Sequence, residues 1–400
     1  MPTSMTASSR ALLPWLVAAL LLGGCATVDR PPAVPEPLVG EATLPGYGNI
    51  RHIHGYREAE FIADYQLAMR SAPDTAEGVS ILALSGGGPN GAFGAGALVG
   101  WTETGTRPQF QVVTGVSTGA LAAPFAFLGP AYDTKLRNAY TSIHDDDVFV
   151  PHLMRSLFGM LHTDSLANTS AFNRTLADLV NAPMLAEIAA EYAKGRRLYV
   201  CTHEMVSGHA VYWNLTAIAA SDNPGALDLF RRVLIASASV PIVFPPEYFE
   251  VEAGGKPHTE IHMDGGLSRQ VFFHMNGARA GLRQRPDGTP TPLTAYIIRN
   301  GKLRTPYHEL TPRVMNIALR TVQSLVAAEG IGDLYRIYSQ TLEEQAAYRL
   351  MMIPEDFPTD HQGMFDPEFM RRLFDLGQAT IKAPQPWQHQ PPFLSSTDGL

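Results

Sequence analysis

Val79-Ser80-Ile81-Leu82-Ala83-Leu84-Ser85-Gly86-Gly87-Gly88-Pro89-Asn90-Gly91 is an apolar run that breaks into a glycine-rich turn. An uncharged run bounded by turn formers predicts a buried strand, and the small residues from Ala92 to Trp101 predict a helix packed closely on it. A second unit follows the first. Phe110-Gln111-Val112-Val113-Thr114 predicts a strand that runs into Gly115-Val116-Ser117-Thr118-Gly119, with a helix from Ala120 to Leu128 behind it. Two consecutive strand-turn-helix units put both turns at the carboxyl edge of neighbouring parallel strands, where α/β sheets hold their sites.

Both turns carry chemistry. A nucleophilic serine needs a sharp turn with small neighbours, so that its Oγ stands clear and an acyl carbon approaches the backbone. The Gly-x-Ser-x-Gly spacing around Ser117 supplies that, with Gly115 and Gly119 in support. An attacked ester also develops an oxyanion, and the consecutive glycines Gly86, Gly87 and Gly88 can aim backbone N–H groups at one point. From Gly86 to Ser117 is 31 residues, one βαβ unit. That spacing disfavours an α/β-hydrolase, in which several elements separate the two.

A third signal is Met263-Asp264-Gly265-Gly266, downstream of Ala236-Ser237-Ala238-Ser239-Val240-Pro241 and Phe244-Pro245-Pro246. In this order the three motifs resemble the patatin-like phospholipase family, and the resemblance runs from about Ser80 to Ile381. It implies an α/β chain with a three-layer α/β/α fold and a mainly parallel central sheet. It also implies a Ser-Asp dyad without a catalytic histidine, Ser117 as nucleophile and Asp264 as base, with no metal or organic cofactor. Gly86, Gly87 and Gly88 would form the oxyanion hole, with Gly91, Gly115, Gly119, Gly265 and Gly266 letting the loops close up. An aspartate is a weak base in water, with an ordinary pKa of about 3.9, so it must be held against the serine hydroxyl away from solvent.

Two positions depart from the family pattern. Asn90 stands where many relatives put Arg or Lys in the glycine loop, so neutral or zwitterionic esters are expected to be cleaved at least as well as anionic phospholipids. Arg269-Gln270 replaces the usual Asn-Pro pair. The expected substrate is a lipid or acyl ester of the phospholipase A, lysophospholipase or esterase type. An acyl thioesterase or transacylase using the same dyad is a neighbouring alternative, and a silent lipid- or protein-binding lipoprotein is one from another class. A Ser-His-Asp triad would draw on His274, His308 or His361, none of which has a supporting motif.

The amino terminus is the second strong signal. Arg10 precedes an apolar stretch from Ala11 to Leu22, short for a bilayer span, that ends at Leu22-Gly23-Gly24-Cys25. This resembles a bacterial lipoprotein signal, which implies cleavage before Cys25, lipidation of its thiol and attachment to the membrane. Ala26 after the cysteine favours the outer membrane, facing the periplasm. The expected division is a signal peptide over 1–24, a lipidated, proline-rich tether over 25–77, the acyl hydrolase domain over 78–384 and a loosely ordered tail over 385–400.

Composition fits one domain on a tether: 45% hydrophobic and 17% charged residues allow a large core. A formal net charge of −8 argues against nucleic acid as a partner. Cys201, inside Leu198-Tyr199-Val200-Cys201, is expected to be a buried strand residue. His144-Asp145-Asp146-Asp147 predicts a capping loop with no metal ligand cluster. Apolar residues from Val150 to Leu161 at helical spacing predict core or a lid within 144–170. Further strands are expected at Leu198–Thr202, Ala210–Trp213 and Ala295–Ile298, and helices at Asp222–Ser237, Pro312–Leu342 and Pro367–Leu376, the last ended by Gly377.

Overall fold

The computed structural model describes residues 30–145, 170–274, 276–304, 309–359 and 364–394. The expected signal peptide, Cys25, nearly all of the 144–170 segment, His308 and His361 lie outside the described residues. Nine strands form one sheet: β1 (Arg51–Ile53), β2 (Val79–Leu84), β3 (Val112–Gly115), β4 (Arg197–Glu204), β5 (His209–Asn214), β6 (Glu247–Ala253), β7 (Lys256–Asp264), β8 (Leu293–Arg299) and β9 (Ala347–Met352). The helices that bear on the site are α1 (Glu58–Ser71), α2 (Gly91–Glu103), α3 (Thr118–Leu128), α4 (Asp133–Thr141), α5 (Ala226–Ala238), α6 (Val314–Glu343) and α7 (Pro367–Ile381).

The sheet order is β1-β5-β4-β3-β2-β8-β9, and the five strands from β4 to β9 in that order are parallel. Strand residues alternate between two cores, as pleating requires. Leu82, Leu84, Val113, Leu198 and Val200 face one, with α2, α3, α5 and α7; Ile81, Ala83, Val112, Tyr199 and Cys201 face the other, with α1 and the carboxyl half of α6. This is the three-layer α/β/α arrangement with a mainly parallel sheet.

A hairpin completes the sheet at its functional edge. Strand β4 pairs with β3 through Arg197–Val200 on one side and with β5 through Tyr199–Glu204 on the other. Where β3 stops, β7 takes over the vacated edge antiparallel, Thr202 opposite Asp264 and Glu204 opposite His262. Strand β7 therefore continues the line of β3 and brings Asp264 to the end of the strand that carries the Ser117 turn.

Three expectations are corrected. Part of the 25–77 tether belongs to the folded body: β1 pairs with β5, and Phe61, Tyr65, Ala68 and Met69 of α1 are buried. In the tail, Gln388 exchanges two backbone hydrogen bonds with Leu350, and the Trp387 ring packs at a steep angle against Trp101 and Tyr296. Gly377 does not end α7, which runs on to Ile381. A Cβ at Gly377 would lie 2.1 Å from the Phe93 carbonyl oxygen, and one at Gly96 would lie 1.9 Å from that of Phe374, so the two glycines serve the close crossing of α2 and α7.

Candidate active site

Ser117 sits between β3 and α3 with φ 55° and ψ −126°, a backbone geometry costly for a residue with a side chain. The strain holds because both flanks are closed. A Cβ at Gly115 would meet the Gly119 carbonyl oxygen at 2.5 Å, and one at Gly119 would meet that of Leu84 at 2.3 Å. Helix α3 begins at Thr118, so its amino-terminal partial positive charge lies beside the serine.

The Ser117 side chain lies close enough to the Asp264 carboxylate to lower its pKa, and the Gly266 N–H donates to Asp264 Oδ1 at 2.7 Å. Asp264 is buried, and desolvation pushes its pKa up from an ordinary 3.8 to about 6 against the lowering effect of Ser117 and the Gly266 N–H. Gly265 lets the loop sink under β4, since a Cβ there would lie 2.3 Å from the Cys201 carbonyl oxygen. Cys201 itself is buried in β4 and burial pushes its thiol pKa up, as suits a core residue.

The glycine loop is tied to the end of β8. Asn300 donates its backbone N–H to Ser85 Oγ at 2.8 Å and its amide to the Ser85 carbonyl at 2.9 Å, while its Oδ1 accepts from the Gly94 N–H at 3.0 Å. Gly87, at φ 156°, has no room for a side chain, as a Cβ would lie 2.0 Å from the Asn300 carbonyl oxygen. Gly91 lets α2 start against α3, where a Cβ would lie 2.1 Å from Thr118 Oγ1. The expected trio of oxyanion donors is corrected: the Gly86 N–H donates to the Gln270 carbonyl at 3.0 Å. Among the described residues the N–H groups of Gly87, Gly88 and Thr118 have no protein acceptor.

Ser237 and Tyr140 also hold the elbow. The Ser237 hydroxyl accepts from the Ser117 N–H at 3.1 Å and donates to the Cys201 carbonyl at 2.7 Å, linking α5, β4 and the turn. The Tyr140 hydroxyl donates to the Thr118 carbonyl at 2.7 Å. The sequence carried a weak signal for Ser237, which lies in the small-residue run before Pro241, and none for Tyr140.

Ser117 and Asp264 open into a cavity of about 610 Å³ with the glycine loop on one wall and Leu319, Val322, Val326, Phe357 and Leu373 among its apolar lining. A second, apolar cavity of about 120 Å³ also reaches Ser117, between Leu121, Phe125, Phe172, Leu176 and Phe244. Asn90 lines the larger cavity, but so do Arg299, Lys302 and Arg304, so the missing cation at position 90 does not leave the site without positive charge. His274 is elsewhere: it packs on Phe61 and Tyr212, and burial lowers its pKa to about 3. No group of metal ligands exists among the described residues.

A strained serine against a buried carboxylate, in an apolar cavity with unoccupied N–H groups, suits acyl transfer from an ester. The class this defines is the carboxylic ester hydrolases. Residues 82–275, just under half of the chain, match the family model Patatin-like phospholipase. Among solved structures, VipD from Legionella pneumophila is 12% identical with a TM-score of 0.38, covering 77% of this chain and 66% of its own. The type III effector protein ExoU is 15% identical with a TM-score of 0.24, covering 76% of this chain and 52% of its own. Each match spans less than two thirds of the solved chain, and likenesses this distant carry no argument. No curated protein matches the chain.

Proposed function

We propose that the protein is a lipid-anchored serine acyl hydrolase of the cell envelope that cleaves carboxylic esters of lipids through Ser117 and Asp264. Asp264 takes the hydroxyl proton as Ser117 Oγ attacks the ester carbonyl, and the oxyanion is held by the N–H groups of Gly87, Gly88 and Thr118. Collapse of the tetrahedral intermediate expels the alcohol, which receives the proton from Asp264. Water, deprotonated by the same carboxylate, then hydrolyses the acyl-serine to the free acid and restores Ser117.

The observation that carries this reading is the placement of Ser117 beside Asp264 on one cavity, in a buried site that raises the carboxyl pKa to about 6. At neutral pH the carboxylate is ionised yet a stronger base than a solvated aspartate. The two cavities beside Ser117 support a lipid substrate, the smaller accepting an apolar chain. The anchor rests on Leu22-Gly23-Gly24-Cys25, and Ala26 supports the outer membrane, facing the periplasm. The test is turnover of phospholipids, lysophospholipids, neutral glycerides and acyl-thioesters, with Ser117→Ala as blank. No hydrolysis of any ester by the wild type would overturn the reading, and faster thioester cleavage would reassign the substrate class.

A further inference from the structure

Helix α6 divides into two unlike halves. Its carboxyl half is fixed in the core by Asp333, Leu334, Ile337 and Thr341, all buried. In its amino half, Leu319, Val322 and Val326 line the Ser117 cavity, while Val314, Ile317 and Leu325 are 85%, 47% and 66% exposed. With the exposed Thr321 and Ala328, these three recur at 314, 317, 321, 325 and 328, one helical face. From Leu310 to Ala328 there is no Asp or Glu, but there are Arg313 and Arg320, in a chain whose net charge is −8. Gly330 and Gly332, poor helix formers, lie between the halves.

An apolar stripe flanked by arginines on a surface helix suits the boundary between lipid headgroups and acyl chains. Because another face of the same half-helix walls the cavity, whatever covers the stripe lies within one helix diameter, about 10 Å, of the Ser117 cavity. We propose that residues 314–328 dock on a lipid bilayer and hold the cavity mouth at the membrane, so that a lipid reaches Ser117 without crossing water. This rests on the lipid-ester reading of the cavity.

The test places an environment-sensitive dye on Leu325→Cys in the full chain, with Leu67→Cys, 53% exposed on α1, as control and labelled wild type as baseline. Vesicles of phosphatidylcholine and phosphatidylglycerol should shift the emission at 325 to the blue and leave 67 unmoved. The double variant Ile317→Asp, Leu325→Asp should lower the rate on vesicle lipid, relative to that on a monomeric short-chain ester, at least tenfold. An unmoved dye at 325 would overturn the proposal. So would a dye already shifted before vesicles are added, which would mean another part of the chain or a second copy covers the stripe, or two rates falling by the same factor. Absence of turnover on both substrate forms in the wild type would instead sink the hydrolase reading, and the dye would still decide the docking.

Discussion

Replacing Asp264 by Asn separates the chemistry of the dyad from its effect on the fold. The amide has the same shape and keeps an oxygen for the Gly266 N–H and the Ser117 hydroxyl, but it cannot take a proton. Ester turnover is expected to fall at least about a thousandfold, within the range for loss of a general base. Stability should move the other way. Burial pushes the carboxyl pKa from an ordinary 3.8 to about 6, so between those values the folded chain keeps a proton that the unfolded chain has released. The stability this gives is fully present below about pH 4 and is lost as pH rises through about 6. A rise of that size corresponds to about 3 kcal/mol, which the uncharged variant does not lose. At pH 8 Asp264→Asn should therefore be more stable by up to about 3 kcal/mol, a gain in Tm of about 4 °C for a chain of this length, shrinking to nothing near pH 4. The assay is urea or thermal unfolding of both proteins from pH 4 to 8, beside ester hydrolysis. Asp333, also pushed up to about 6, is present in both and cancels. Hydrolysis within tenfold of wild type, or a variant no more stable at pH 8, would refute the reasoning.

Ser237→Ala removes a hydroxyl bonded on both sides and leaves the Ser117 N–H and Cys201 carbonyl without it. A loss of about 2 kcal/mol in urea unfolding and a fall in kcat with KM little moved are expected. Gly87→Ala drives a methyl into the Asn300 carbonyl and should abolish hydrolysis with a lower Tm; an active, equally stable variant would contradict the loop geometry. His274→Gln should leave the acid limb of the pH–rate profile in place near pH 6, where the raised Asp264 titrates; loss of that limb would return the base to a histidine. Cys25→Ser should release the protein from the membrane fraction, and mass spectrometry of the amino-terminal peptide should find an acylated Cys25 in the wild type; an unmodified Cys25 would remove the anchor.

The two βαβ turns were legible because their chemistry is local. Strand β2 begins and ends where its apolar run does, and small residues around Ser117 announce a tight elbow whatever surrounds it. Asp264 was legible only as a motif, since nothing in its neighbourhood says that β7 lies along the edge of β4. The missed parts are those fixed over long separations. Ser237 meets Ser117 across 120 residues, and Asn300 meets Ser85 across 215. Strand β1 is three residues long and exists because β5 offers it an edge, and α1 hides its apolar face among charges. The occupied Gly86 N–H follows from the approach of Gln270, a contact no glycine count reveals.

Because Asp264 is delivered by a ladder and not by a loop, its placement comes in steps. Side chains along β7 alternate between the two faces of the sheet, and the pairing of Thr202 with Asp264 sets which face the carboxylate takes. Shortening the hairpin by one residue between Lys256 and Met263 would not move the carboxylate a little; it would exchange it for a neighbour pointing the opposite way. Removing two residues would restore the facing but shift it by about 7 Å along the strand. The hairpin can therefore vary in sequence along its outer face, while its length is under a parity constraint as strict as the identity of the aspartate.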